Sequence, residues 1–79
     1  MPPAIRNIEQ FVDEGGEITI GRIGPVECGA AAADHHNAVA MLARRPDETL
    51  TMLLKRLDKA IGRFYKDGKT TDEINGCAE

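Results

Sequence analysis

The residues with the clearest chemical potential lie together in the stretch CGAAAADHHNAV, positions 28 to 39. This stretch contains Cys28, Asp34 and the adjacent histidines His35 and His36. Thiolate, carboxylate and imidazole groups are common metal ligands. A cysteine beside a histidine can also act as a nucleophile. The secondary structure of this stretch decides whether these side chains can come together in either role.

Residues 25–44 have the composition of a helix, because seven of the twenty are alanine. Pro25 also suits the first position of a helix, so we predict a helix over the whole segment. On one helix, residues that bind a single ion lie three or four positions apart. Cys28 and His35 share a face but are about 10 Å apart, given a rise of about 1.5 Å per residue. We therefore expect no metal site and no catalytic pair here.

This predicted helix would present one face whose residues repeat every three or four positions, which is typical of helix packing. We predict that this face forms a helix-packing or dimer interface. A histidine within it could make a dimer responsive to metal or to pH, because imidazole changes its charge near neutral pH. The residues of this face are Cys28, Ala32, His35, Val39 and Leu42.

A second helix is predicted over residues 47–66. Asp47 and Glu48 suit its positive N-terminal end, and Gly68 is a typical helix stop. The short turn between two helices of similar length predicts an antiparallel helical hairpin. The apolar residues of the second helix lie within an arc of about 100°, which indicates a buried stripe. The stripe, which completes the predicted interface, consists of Leu50, Leu53, Leu57, Ile61 and Phe64.

Two shorter elements precede the predicted hairpin. The apolar spacing of residues 4–14 predicts a short helix that stops at Gly15, with a β-hairpin as the alternative. Residues 17–23 alternate in the manner of a strand or extended segment. A lone strand would need a partner, so we expect it to pair with its copy in a homodimer. The predicted fold is thus mostly α, one small domain over residues 1–79, frayed at 1–3 and 75–79.

Charge is distributed unevenly along the chain. Residues 1–43 carry two basic and six acidic side chains, whereas residues 44–69 carry eight basic and four acidic ones. Five cations of the second helix form a candidate basic surface. It is either the solvated side of an amphipathic helix or a surface for the phosphates of nucleic acid. These cations are Lys55, Arg56, Lys59, Arg63 and Lys66.

Other features limit the possible functions. The chain has no serine, and the sequence GRIG lacks the remaining residues of a nucleotide-binding motif, so we expect no enzyme and no cofactor. No apolar run approaches the roughly 18 residues that span a membrane. The two cysteines are too few for a disulfide framework, which favours the cytoplasm.

The order strand, helix, turn, helix over residues 17–66 resembles that of ribbon-helix-helix repressors and antitoxins. The resemblance implies two strands, one from each chain, that lie in the major groove of DNA. Glu17, Thr19 and Gly21 would occupy the base-reading positions. We favour a small non-catalytic cytoplasmic protein that acts as an interaction or accessory module, as a homodimer or with an unidentified protein partner. A DNA-binding regulator of ribbon-helix-helix type is the alternative.

Overall fold

The computed structural model describes residues 5–35 and 37–74. Its four strands form one mixed sheet in the order β1-β2-β3-β4, in which β4 runs parallel to β3 and the other pairs are antiparallel. Helix α1 packs against β1 and α2, and helix α2 packs against β2 and β3. In chain order, the elements are α1 (Arg6–Asp13), β1 (Glu17–Ile23), β2 (Val26–Ala33), β3 (Ala38–Ala43), α2 (Leu50–Asp67) and β4 (Thr71–Asp72).

The prediction of a mostly α fold with a helical hairpin is wrong, because residues 25–44 form strands β2 and β3 instead of a helix. Burial alternates along β2: Ala30 and Ala32 are fully buried, whereas Ala31 and Ala33 are partly exposed. This period of two belongs to a strand. The helical preference of alanine is less than about 1 kcal/mol per residue and yields to tertiary packing. The ribbon-helix-helix order is therefore absent.

Two tight turns shape this part of the sheet. Ile23 pairs with Val26, so Gly24-Pro25 is a two-residue hairpin loop instead of the start of a helix. Gly24 has φ +56°, and a positive φ at the first loop position is typical of a type II′ turn. At the other end of β2, the Asn37 N–H donates to Asp34 Oδ1 at 2.7 Å, which helps to close the turn into β3.

The remaining predicted elements are confirmed, with small shifts at their ends. Helix α1 lies inside the predicted 4–14, β1 coincides with 17–23, and α2 begins three residues later than predicted. The cap of α2 is Thr49, whose side chain accepts from the Met52 N–H at 3.1 Å. Gly68 ends α2 with φ +71°. The expected fraying at 1–3 and 75–79 lies outside the described residues.

The core forms where α2 crosses the sheet. Leu53, Leu57 and Ile61 are fully buried and share one apolar cluster with Val39 and Leu42 of β3. Burying each such side chain is worth roughly 1.5–3 kcal/mol. Helix α1 adds Ile8 and Phe11 to the same cluster.

Helix α1 lies close to α2. A Cβ at Gly62 would come within 2.6 Å of Asn7 Nδ2. The Asp58 carboxylate accepts from the Ile8 N–H at 2.9 Å and joins the two helices. Both helices therefore cover one face of the sheet.

Candidate functional site: an apolar sheet face and a basic helix ridge

The face of the sheet opposite the helices has an apolar centre. Residues that pair across neighbouring strands point to the same side. Ala30, Ala32 and Leu42 face the core, so their neighbours along each strand point away from it. Apart from Gly29, which is buried and pairs with Gly21 and Ala43, these outward-pointing positions are partly or fully exposed. We call this surface the open face, which consists of Glu17, Thr19, Gly21, Ala31, Ala33, Met41, Ala43 and Asp72.

Polar residues of the open face are confined to its margins. Glu17 and Thr19 belong to β1 at one edge, and Asp72 belongs to β4 at the other. The centre is formed by alanines and Met41. A sheet with one solvated face normally alternates apolar and polar residues along each strand, whereas a sheet covered on both faces is apolar throughout. Strand β3 has the sequence AVAMLA, which is the second pattern.

The size of the open face is that of a functional patch. Six or seven residues of strand extend for about 20 Å, and three strand spacings cover about 14 Å. The resulting footprint of the whole open face, with its polar margin included, is roughly 300 Å², and apolar patches of a few hundred Å² often mark interaction sites. An apolar centre with a polar margin is also the usual anatomy of a protein interface.

On the opposite side of the molecule, α2 presents a row of cations to solvent. These side chains lie at intervals of four, four and three residues, so they share one face of the helix. All four are exposed. We call this row the basic ridge, which consists of Lys55, Lys59, Arg63 and Lys66.

Arg56 was predicted to belong to this basic surface, but it is half-buried and fully engaged elsewhere. Its Nε donates to Glu48 Oε2 at 2.6 Å, and its Nη1 donates to Glu73 Oε2 at 2.9 Å. Nη2 also donates to the Ala43 carbonyl at 2.9 Å. Arg56 therefore ties α2 to the end of β3, to the loop before α2 and to the segment after β4.

Arg56, Glu48 and Glu73 form an ionic cluster, in which Glu48 is the most buried residue, with 9% of its surface exposed. The pKa of Glu48 is lowered to about 2, chiefly by the hydrogen bond from Arg56 and also by the backbone N–H of Arg45, against the opposite effect of burial. The same hydrogen bond raises the pKa of Arg56. Glu48 remains ionised at neutral pH and holds Arg56 in place.

A depression of about 270 Å³ lies beside this cluster, between α2 and β4. Arg45 and Lys59 line it together with Arg56 and Glu73, over an apolar base that includes Leu42. It adjoins the basic ridge at Lys59. Because Glu73 already neutralises part of its charge, the depression is a less basic surface than the ridge itself.

Cys28 and His35, which were the candidate metal-binding or catalytic residues, do not come together in one site. Cys28 is half-buried in β2, and Arg44 Nη1 lies 3.7 Å from its Sγ. His35 is exposed in the turn between β2 and β3, so the idea of a histidine inside a helical interface loses its basis. His36 lies outside the described residues. Within the described part of the chain, no three His, Cys, Asp or Glu side chains could hold a metal ion together.

The predicted interface residues are divided between two layers. Ala32, Val39 and Leu42 are buried in the sheet against the α2 stripe, so the contact joins helix to sheet. Of the stripe itself, Leu50 is 42% exposed and Phe64 is only partly buried. In residues 5–35 and 37–74, neither helix is long and apolar enough to cross a bilayer.

No family model, no curated protein and no solved structure matches the chain. Its function is therefore argued from the geometry of the two surfaces.

Sequence reasoning missed Ala31, Ala33 and Met41, which form the centre of the open face. They were assigned to a helix on the strength of alanine content. A signal was nevertheless present, because GAAAA and AVAMLA are short apolar runs bounded by turn residues. Such runs are consistent with strands buried on both faces.

Proposed function

We propose that the protein is a small non-catalytic interaction module that forms a homodimer through its open face. The observation that carries this proposal is the absence of polar side chains at the centre of that face. Exposed strands normally place a polar residue at every second position. Here Ala31, Ala33 and Met41 occupy those positions, and a second sheet would cover them.

A second copy of the chain is the occupant that suits this surface. A two-fold dimer brings the same patch of both copies together, so the patch must be flat and self-complementary. Alanine side chains leave few projections and allow two sheets to approach closely. The footprint is below the roughly 800 Å² per partner of a standard stable interface. We therefore expect a dimer that dissociates on dilution.

Strand β1 has a partner within the chain, so a dimer formed by pairing of two β1 strands is not required. Strand β1 was expected to pair with its copy because no partner was seen for it in the chain, but β1 pairs with β2. Its outer edge carries the exposed charges of Glu17 and Arg22, and the pairing register shifts after Gly21. Charges and irregularities at an edge oppose pairing with another strand. The open face is the better candidate.

The non-catalytic character and the cytoplasmic location are part of the same proposal. Cys28, the obvious nucleophile, lies near a guanidinium group instead of a general base. A free thiol of this kind is typical of reducing compartments. Turnover by the purified chain, or recovery of Cys28 in a disulfide from cells, would contradict this part of the proposal.

Sedimentation velocity over a hundredfold range of protein concentration tests the dimer. We expect the wild-type mass to rise from one to two chains as concentration increases. Ala31→Arg places a long charged side chain at the centre of the open face and should leave a monomer at every concentration. Thr70→Arg adds the same charge at an exposed loop position and serves as the matched control.

Circular dichroism establishes whether each variant keeps the wild-type secondary structure. A wild-type protein that stays monomeric throughout the range would refute the proposal. So would an Ala31→Arg variant that remains folded and dimerises as well as Thr70→Arg, because the dimer would then use another surface.

A further inference from the structure

The basic ridge has free charge to offer a partner. Its four side chains are exposed along α2, and among the described residues no carboxylate lies within ion-pair distance of any of them. The first and last members are eleven residues apart, which corresponds to about 16 Å of helix. The ridge is therefore a row of unneutralised cations along one side of α2.

On the two helices, positive charge that is not neutralised is concentrated at the ridge. Arg56 is neutralised by Glu48 and Glu73. The exposed acids Glu9 and Asp13 lie on α1. A polyanion would be repelled by α1 and attracted to the ridge, so charge alone would orient it on the molecule.

The composition of the ridge favours a nucleic acid over an acidic protein. Lysine is depleted in protein interfaces, where aromatic and other apolar residues supply the buried centre. Three of the four ridge residues are lysines, and the exposed large apolar side chains of α2 are the separate residues Leu50, Met52 and Tyr65. Phosphate contacts need no apolar centre, because the release of counterions supplies the binding free energy.

A membrane surface fits the ridge less well. Interfacial helices place an apolar face in the lipid. The apolar face of α2 is occupied, since Leu53, Leu57 and Ile61 are buried against the sheet. A single-stranded nucleic acid also fits less well, because its binding sites use aromatic stacking platforms. None of the four ridge residues is aromatic, and the exposed Tyr65 of α2 donates its hydroxyl to Glu14 Oε1 at 3.3 Å.

We infer that Lys55, Lys59, Arg63 and Lys66 bind the phosphate backbone of double-stranded nucleic acid without reading its sequence. The ridge has no asparagine or glutamine, which are the usual readers of adenine, so it discriminates little between base pairs. Four phosphate contacts correspond to a slope of about −3 to −4 in a plot of log K against log salt concentration. Binding is therefore weak at physiological salt and much stronger at low salt.

Fluorescence anisotropy tests this inference with labelled duplexes of about 20 base pairs, one of DNA and one of RNA, of arbitrary sequence. We expect the wild type to bind at least one duplex at low salt, with the slope given above and little change when the sequence is scrambled. Lys59→Glu combined with Arg63→Glu should weaken binding by at least about tenfold and reduce the slope.

The matched control combines Arg6→Glu with Arg22→Glu, which reverses the same number of charges at exposed positions away from the ridge. The control should retain most of the wild-type affinity. Equal losses for the two double variants would overturn the inference, as would the absence of duplex binding at 50 mM salt. Polyglutamate or anionic phosphatidylserine vesicles that bind as tightly as the duplexes would also overturn it.

The dimer and the ridge use different residues, so either proposal can fail alone. A dimer that does not bind a duplex rejects the ridge inference and leaves the proposed function standing. A monomer that binds a duplex does the reverse.

Discussion

Solvent reaches both the open face, whose central residues are partly exposed, and the basic ridge, whose residues are exposed, but this has different implications for the two surfaces. The ridge obeys the ordinary rule for a helix on a sheet, in which one side is buried and charges cover the other. The open face breaks the corresponding rule for a strand, because Ala31 and Met41 occupy positions where polar residues are expected. A surface that breaks its local rule is the stronger indication of a partner.

The two surfaces also differ in the physical basis of their binding. Contact through the open face would remove apolar atoms from water, which depends little on ionic strength. Contact through the ridge would replace counterions, which depends steeply on it. Predictions that separate apolar burial from charge therefore test the two surfaces independently.

The largest expected effect compares the face of the sheet that the helices cover with the open face. Leu57→Ala removes a fully buried side chain of α2 and should lower the free energy of unfolding by about 2–5 kcal/mol. Met41→Ala acts on the open face. In dilute protein its cost should stay within about 0.5 kcal/mol, as is usual for surface positions.

Urea unfolding at a low and a high protein concentration measures both effects. The cost of Met41→Ala should grow with concentration, because the dimer buries this side chain, whereas the cost of Leu57→Ala should not depend on it. A large and concentration-independent cost at Met41 would mean that it is part of the core of one chain.

The sequence was sufficient for some elements and misleading for others. Helix α2 could be predicted because its apolar stripe follows the helical period over many residues. Strands β2 and β3 could not, since alanine is the best helix former and yet is small enough to pack between a sheet and a helix. Their identity depends on long-range pairs such as Ala30 with Leu42, which local composition does not reveal.

The candidate site was predicted only in part. The cations of the ridge follow from the helical period. That Arg56 does not belong to the ridge could not be predicted, because it pairs with Glu73, which is 17 positions away in the chain. The open face was missed altogether, because it exists only once the four strands are placed side by side. Surfaces that depend on local periodicity were accessible from the sequence, and those that depend on tertiary pairing were not.

An intermediate effect concerns the ionic cluster that holds α2 on the sheet. The pKa of Glu48 falls from an ordinary value of 4.5 to about 2 in the folded chain. A lowered pKa in the folded state stabilises the fold above pH 4.5, and this stabilisation is lost as the pH falls toward 2. Glu48→Gln should therefore reduce the dependence of the melting temperature on pH over this interval.

Asp47→Asn is the matched control, because Asp47 is the exposed neighbour of Glu48 in the same loop. Thermal unfolding followed by circular dichroism between pH 5 and pH 2 compares the three proteins. We expect the control to retain the pH dependence of the wild type. If Glu48→Gln retains it too, then the pairing of Glu48 with Arg56 is not its source.

The smallest expected effect is that of salt on the dimer. Between 50 and 200 mM salt, four phosphate contacts predict a loss of about a hundredfold in duplex affinity. Over the same range, the dissociation constant of the dimer should change by less than about threefold, because apolar burial dominates. Sedimentation equilibrium at the two salt concentrations measures this constant. A steep salt dependence would instead assign the dimer to charged residues.

The central claim is that the open faces of two copies meet. Isotope-filtered nuclear Overhauser measurements on a mixture of labelled and unlabelled chains test it most directly, because they report only contacts between chains. The account predicts contacts from the Met41 methyl group of one chain to the Ala31 and Ala33 methyl groups of the other. Contacts between chains that involve Ile20 at the β1 edge, with none from Met41, would contradict it.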